Sequence, residues 1–316
     1  MRTSQTNLLP TRLAVFLATC LGLHGVAVAA ESSTNVQYGT GGLVAVGLVN
    51  VPNPPAPISL TFQNGEAFAS IYASAAVGRL GASANAHVPH YSASPLDTRV
   101  SALARPSWTD ELTFNSLGLT GQPGSATLSL AYSWTLALTD PSPAGIYPAQ
   151  SYAQGDVKMT ATYGNRGSYA EIGDALVPTD CGAALCPIER VANFVGSGGP
   201  PTPVQPGPGI LSLEVAFIFG DPFSLTVYLS AQTSVYGGQS SSTDATVDAS
   251  HTALWGGINA VLSEGTSVDY SVSSASGFNY RVPLPVPEPG TYALMLSGLG
   301  VLGLMARRRR SAQPVL

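Results

Sequence analysis

The stretch TLSLAYSWTLALT, residues 127–139, alternates along its whole length. Leu128, Leu130, Tyr132, Trp134, Leu136 and Leu138 occupy every second position, with Thr127, Ser129, Ser133, Thr135 and Thr139 between them. Successive side chains of an extended strand point to opposite faces, so this spacing makes one apolar face and one that tolerates water. The stretch predicts a strand lying over a core.

The same period recurs outward from it. Leu211, Leu213, Val215, Phe217 and Phe219 alternate, and after GDP at 220–222 the pattern returns as Phe223, Leu225, Val227 and Leu229. That order predicts a β-hairpin. Residues 67–88 carry a variant built largely of alanine: Ala67, Ala69, Ile71, Ala73, Ala75 and Val77, then Leu80, Ala82, Ala84, Ala86 and Val88, with Gly78 and Arg79 offering the turn. Alanine is a weak strand former, so these strands must depend on close sheet packing. Further strands are expected at 43–49, 58–63, 111–115, 245–249 and 267–273. No segment of the body sustains a 3.6-residue apolar repeat. The expected fold is mainly β, an antiparallel β-sandwich of jelly-roll-like form, with an N-terminal signal helix and one C-terminal transmembrane helix outside it.

Two proline-rich pieces interrupt the pattern. GSGGPPTPVQPGPG at 196–209 cannot be a central strand, because proline withholds ladder donors; it reads as a long surface loop in preference to a domain linker. PLPVPEP at 283–289 should be extended and stalk-like.

Only 10% of the 316 residues are charged, and Lys158 is the single lysine. Two arginines (Arg2, Arg12) lie at the N-terminus and four (Arg307, Arg308, Arg309, Arg310) at the C-terminus, so residues 31–306 carry 7 basic against 18 acidic side chains. A body of net charge −11 repels a phosphate backbone, and no nucleic-acid partner is expected.

Residues 1–30 have the parts of a secretory signal: a basic start, an apolar run over 13–28, and small residues ending at Ala29 and Ala30 that suit a cleavage pocket. The Sec translocon is the implied partner. Removal of the signal leaves Cys181 and Cys186, in CGAALC, as the only cysteines. In an oxidising compartment they should form a local disulfide that pins a loop.

At the other end, Val286, Pro287, Glu288, Pro289 and Gly290 precede sixteen uncharged residues, 291–306, and then the four arginines. A helix of that length spans ~24 Å, slightly short of a ~30 Å hydrocarbon core, so arginines that snorkel at its end are needed. Residues 307–316 should remain cytoplasmic and the body should lie outside. This order resembles the PEP-CTERM sorting signal of exported proteins in Gram-negative bacteria that make extracellular polysaccharide. The resemblance implies inner-membrane anchoring, processing at or near the motif by an exosortase, and delivery to the cell surface or matrix. Rigid prolines and a lone acid, Glu288, suit a basic reading pocket. The stretches DELTFNSLGLTGQPGSATLSL from Asp110 and HTALWGGINAV with VDYSVSSASGFNY from His251 resemble domains that commonly precede this signal, a likeness that brings no activity.

The body, 31–282, offers little cooperative chemistry. There is no G-x-S-x-G elbow and no phosphate-binding glycine loop followed by lysine. His87 and His90 are three apart, but one falls on a polar strand face and the other in a loop; His251 opens an apolar run. Asp110 and Glu111 point to opposite faces of a strand, which suits no glycosidase pair. Asp244 and Asp248 share a face that reads as a solvated edge. Trp134 continues an apolar face, whereas Trp108 and Trp255 could be core or could stack on sugars. The expected protein is therefore non-enzymatic, without cofactor or metal. A carbohydrate-binding module or glycan-active enzyme under the same signal is the alternative, extracellular polysaccharide being its partner, and a self-associating coat is the third.

Overall fold

The computed structural model describes residues 27–38, 42–52, 57–64, 66–89, 98–139, 151–164, 166–178, 188–191, 194–195, 208–237 and 242–285. Seventeen strands make up this part of the chain. One sheet, here called A, has the order β11 (Ile188–Val191), β10 (Arg166–Pro178), β9 (Tyr152–Tyr163), β14 (Pro222–Gly237), β6 (Thr98–Asn115), β1 (Ala27–Tyr38) and β2 (Gly42–Pro52), with β12 (Phe194–Val195) on β10 and β17 (Ser271–Ser274) on β6. Sheet B has the order β13 (Gly209–Ile218), β7 (Pro123–Tyr132), β15 (Thr243–Ser263), β5 (Arg79–Val88), β4 (Ala67–Ala76) and β3 (Ile58–Asn64), with β8 (Thr135–Thr139) and β16 (Thr266–Ser267) on β15. Every pairing is antiparallel, and the inward faces of the two sheets share one core, which makes the fold an antiparallel β-sandwich. The signal helix and the transmembrane helix, with residues 291–306, lie outside the described residues.

The alanine strands behave as their composition requires. Ala67, Ala69, Ala73, Ala82, Ala84 and Ala86 are all fully or almost fully buried, and β4 and β5 lie against β6 of the opposite sheet, which contributes Ala102 and Ala104. Side chains this short let two sheets approach closely with little apolar area per residue. The turn between β4 and β5 is formed by Val77 and Gly78, one residue earlier than expected, with Ala76 paired to Arg79. Gly78 has φ +80°, which a residue with a Cβ adopts only under strain.

Two expectations need correction. The stretch 127–139 is broken at Ser133 and Trp134, so that β7 and β8 lie in turn along β15. The inward alternation survives the break, and Leu128, Leu130, Tyr132, Trp134 and Leu138 are all buried. Beside the break, β15 has its own irregularity between Ala249 and Ala253, where the Ser250 carbonyl presses on Gly81 so closely that no Cβ would fit. Second, residues 211–229 form no hairpin. β13 pairs with β7 in sheet B, while β14 pairs with β6 and β9 in sheet A. The chain arches over the core at Phe219 and Gly220, held by Phe219 N to Gln122 O (3.0 Å) and Gly220 N to Phe114 O (2.8 Å). The alternation is the same for a hairpin and an arch. The difference lies in the rings: Phe217 stacks on Phe114 from the other sheet (4.5 Å), so the two apolar faces meet across the core and not side by side.

The proline-rich segment 196–207 connects β12 of one sheet to β13 of the other and is itself outside the described residues. Placing a leucine at Ala84 should overpack the interface and destabilise the body by about 1–3 kcal/mol, read as a lower thermal midpoint by circular dichroism. Ser59→Leu, at an exposed position of β3, should stay within about 0.5 kcal/mol.

Candidate functional site: the C-terminal strap and a polar cluster

The motif at 286–290 and Arg307 to Arg310 lie outside the described residues, but the segment that leads to them is described as far as residue 285. Its anchor is Asp110. On β6 the inward positions are Trp108, Asp110, Leu112 and Phe114, all at most 1% exposed. A carboxylate in that apolar row is tolerable only if its lone pairs are filled. Oδ1 accepts from the Glu111 amide (2.9 Å) and the Ser276 amide (3.1 Å), and Oδ2 accepts from the Ser276 hydroxyl and from Tyr280 Oη (2.8 Å). Three of these four donors come from the strap that follows β17.

Trp255 holds the same strap from sheet B. Its Nε1 donates to the Tyr280 carbonyl (2.7 Å) and its own carbonyl accepts from the Leu284 amide (2.9 Å). Tyr280 is fully buried and stands edge-on to Trp255 at 4.9 Å. Burial, then the Asp110 charge and hydrogen bond, pushes its phenol far above the ordinary range, so it remains a donor. Phe278 lies over Gly78, where a Cβ would touch its ring. Pro283 and Leu284, expected to open the stalk, are thus still fastened to the body. Six residues, 285–290, remain before the apolar segment, or ~20 Å when extended.

The other residues singled out in the sequence are dispersed. Trp108, Trp134 and Trp255 are all buried, so no tryptophan forms a sugar-stacking platform. His87 Nδ1 meets Asp244 Oδ1 at 2.7 Å across β5 and β15, with its ring stacked on Phe68 (5.1 Å). Asp248 accepts from the Ser250 amide (3.0 Å) and faces solvent. Among the described residues no group of three or more potential metal ligands occurs. His90, Cys181 and Cys186 lie outside the described residues, as does the side chain of His251. Ala29 and Ala30 are described in their backbone: they lie in β1, opposite Ser107 and Pro106 of β6.

Sequence reasoning missed a polar cluster on the outer face of sheet A. Strand pairing places Glu171, Lys158, Tyr228 and Ser107 in one row, and Gly173, Asp156 and Ser230 in the next. Arg105 completes the second row where the pairing of β14 with β6 lapses opposite Pro106, which has no N–H to give. Lys158 Nζ contacts Glu171 Oε2 (3.0 Å) and sits 4.8 Å from the Tyr169 ring, while the Arg105 guanidinium lies 5.8 Å from the Tyr228 ring. Burial pushes the Asp156 carboxyl from its ordinary 3.8 to about 6, against the pull of the neighbouring Ser230 hydroxyl, Arg105 and Lys158. Burial and then the Glu171 charge push Tyr228 up to about 12. The only available signal was register: residues far apart in sequence become neighbours only once β6, β9, β10 and β14 are known to be adjacent.

Two outcomes follow. Tyr280→Phe should cost about 1–3 kcal/mol, since Asp110 loses a donor where water cannot replace it, and Asp110→Ala should cost more; limited proteolysis should then cut within 275–285. For Asp156, the folded carboxyl titrates above its unfolded value, so the folded state binds the proton more tightly. The cost of the charge is fully present above about pH 6 and fades as pH falls toward 4. Asp156→Asn should therefore raise stability at pH 7–8, by an amount on the order of 2 kcal/mol, and change it little at pH 4, as measured by denaturant titration.

Residues 285–310 match the family described as the PEP-CTERM protein-sorting motif. No curated protein and no solved structure matches the chain. The match covers the C-terminal signal and not the sandwich. The chain thus carries, at the end of its Asp110-anchored strap, a segment that matches the PEP-CTERM protein-sorting motif.

Proposed function

We propose that this is a Sec-exported, non-enzymatic surface protein, held briefly in the inner membrane by residues 291–306, released by an exosortase near Glu288, and delivered to the cell surface or the extracellular matrix. The sorting motif marks the chain for exosortase-dependent export and surface sorting in a Gram-negative cell. The observation that carries the finer reading is the fastening of the strap: the most deeply buried carboxylate of the core, Asp110, and the buried Trp255 both hold the segment next to the motif. Groups that could have served chemistry are engaged in presenting a processing site. The short tether keeps the folded body close to the bilayer, within reach of a membrane-embedded enzyme.

Fractionation of cells with and without the processing enzyme tests this. The expected result is a smaller, surface-associated or released form in the first strain and a larger, inner-membrane form in the second, with Glu288→Ala reproducing the second. Identical size and location in both strains would overturn the reading. The glycan-binding alternative keeps one supporting observation, the tyrosine-bearing outer face of sheet A.

A further inference from the structure

We infer that the open edge of β13 docks a second copy of this chain, the two β13 strands pairing antiparallel about a two-fold axis at Leu213. β13 is the last strand of sheet B and, among the described residues, pairs only with β7. One hydrogen bond tells which of its backbone groups stay open. Phe219 N donates to Gln122 O (3.0 Å), and these two residues continue the register that sets Ile218 opposite Pro123, which has no N–H. Alternate residues of an antiparallel strand turn both backbone groups toward the same neighbour. Leu211, Leu213, Val215 and Phe217 therefore bond β7, while Ile210, Ser212, Glu214 and Ala216 turn theirs to the open side. Natural edges are blunted by proline, lysine, a bulge or shortness. β13 has none of these: it runs for 10 residues in unbroken register, with Glu214 as its one charge, and Ile210 on its solvent face is 71% exposed.

The occupant is read from the strand itself, which is self-complementary. With the axis at Leu213, Ile210 lies opposite Ala216 of the second copy and Ser212 opposite its Glu214, so each large outward side chain meets a small one and the carboxylate meets a hydroxyl. These are the open-edge residues, and each such pair exchanges both backbone bonds. One step further out, Pro208 lies opposite Ile218. Pro208 has no N–H to give, and the Ile218 carbonyl already accepts from the Asp221 amide (3.1 Å), so the missing donor falls against the occupied acceptor. Moving the axis to Glu214 would oppose two carboxylates, and moving it to Ser212 would set the Ala216 carbonyl against the proline.

The inward face fits in the same register. A hollow of about 370 Å³ lies over residues 215–218, lined by Ala161 and Tyr163 of β9, Ser168 of β10, and Val215 and Phe217. The second copy would bring Leu211 opposite Val215, where its side chain closes this hollow, and Gly209 opposite Phe217, where the ring needs room. The β9–β10 turns of the two copies then cover opposite ends of the paired strands. One strand pair buries less than the ~1,200 Å² of a standard interface, so the association is of the weak kind that dense packing on a surface makes effective.

This pairing does not depend on processing, so it can fail while the sorting reading stands, and the reverse. The test is sedimentation of the full chain in density-matched detergent micelles at up to ~100 μM. A dimer is expected. Glu214→Pro removes an amide that points to the open edge and bonds nothing in β7, so it should weaken association about tenfold or more with the melting midpoint near that of wild type. A dimer held by residues 291–306 would be indifferent to that change. Independently of the proline variant, Ser212→Cys and Glu214→Cys chains, mixed and oxidised with copper phenanthroline, should give a disulfide-linked peptide pair joining 212 to 214, seen by mass spectrometry, with far less bridging when either variant is oxidised alone. The inference is overturned if the chain is monomeric throughout, if Glu214→Pro folds and dimerises as wild type does, if the mixture bridges no better than the single variants, or if the amides of 212 and 214 resist hydrogen exchange equally in the dilute monomer.

Discussion

A carboxylate turned into an apolar core obliges the chain to bring donors to it, and Asp110 on β6 imposes that requirement here. Its partners arrive from residues 276–280, more than 160 positions later. The last part of the body must therefore fold back through the sandwich before the sorting motif begins. Without those donors the aspartate would be a buried uncompensated charge, among the most costly defects a core can hold. The strap is accordingly an internal part of the fold and not an appendage.

Strand β6 then ties the two ends of the body together. β1 runs along one of its edges as far as Ala27, opposite Thr109, and β17 takes up the same edge with Ser274 opposite Leu112. The N-terminal strand, which begins at Ala27, and the segment that precedes the sorting motif are thus neighbours on one strand. Both ends of the described body are set on a single edge by backbone pairing, whose donors and acceptors admit no substitute in a dry environment. The same strand turns Arg105 outward into the polar cluster, so the alternation of the strand separates the face that anchors the strap from the face that carries the cluster.

Charge is used sparingly. The core interface of alanine strands needs none, and some hydroxyl side chains answer one another across strands, as Thr109 does Thr226 and Ser101 does Ser234. Two acids show what a sheet does with charge: Asp110 turned inward and Asp156 on the outer face of sheet A. At Asp110 four hydrogen bonds fill the lone pairs that solvent would have filled; at Asp156 burial outweighs the pull of Ser230, Arg105 and Lys158, and the carboxyl is raised.

Alternation by itself determined which side chains of 67–88, 127–139, 211–219 and 223–229 meet a core, because the pleat makes face membership a local property. The sorting motif, apolar segment and arginine cluster were likewise legible, since they act as a linear string. Tertiary structure alone decided whether consecutive strands lie side by side or across from one another, as Phe217 stacking on Phe114 shows for the arch that the turn at 220–222 disguised. It also decided the fates of Asp110, Trp108 and Trp255, which depend on a strap distant in sequence, and it gathered Arg105, Asp156, Lys158, Glu171 and Tyr228 into one polar cluster. Strand order is a non-local property: no spacing in the chain records which strands will be neighbours, and the chemistry of a sheet face exists only after that order is set.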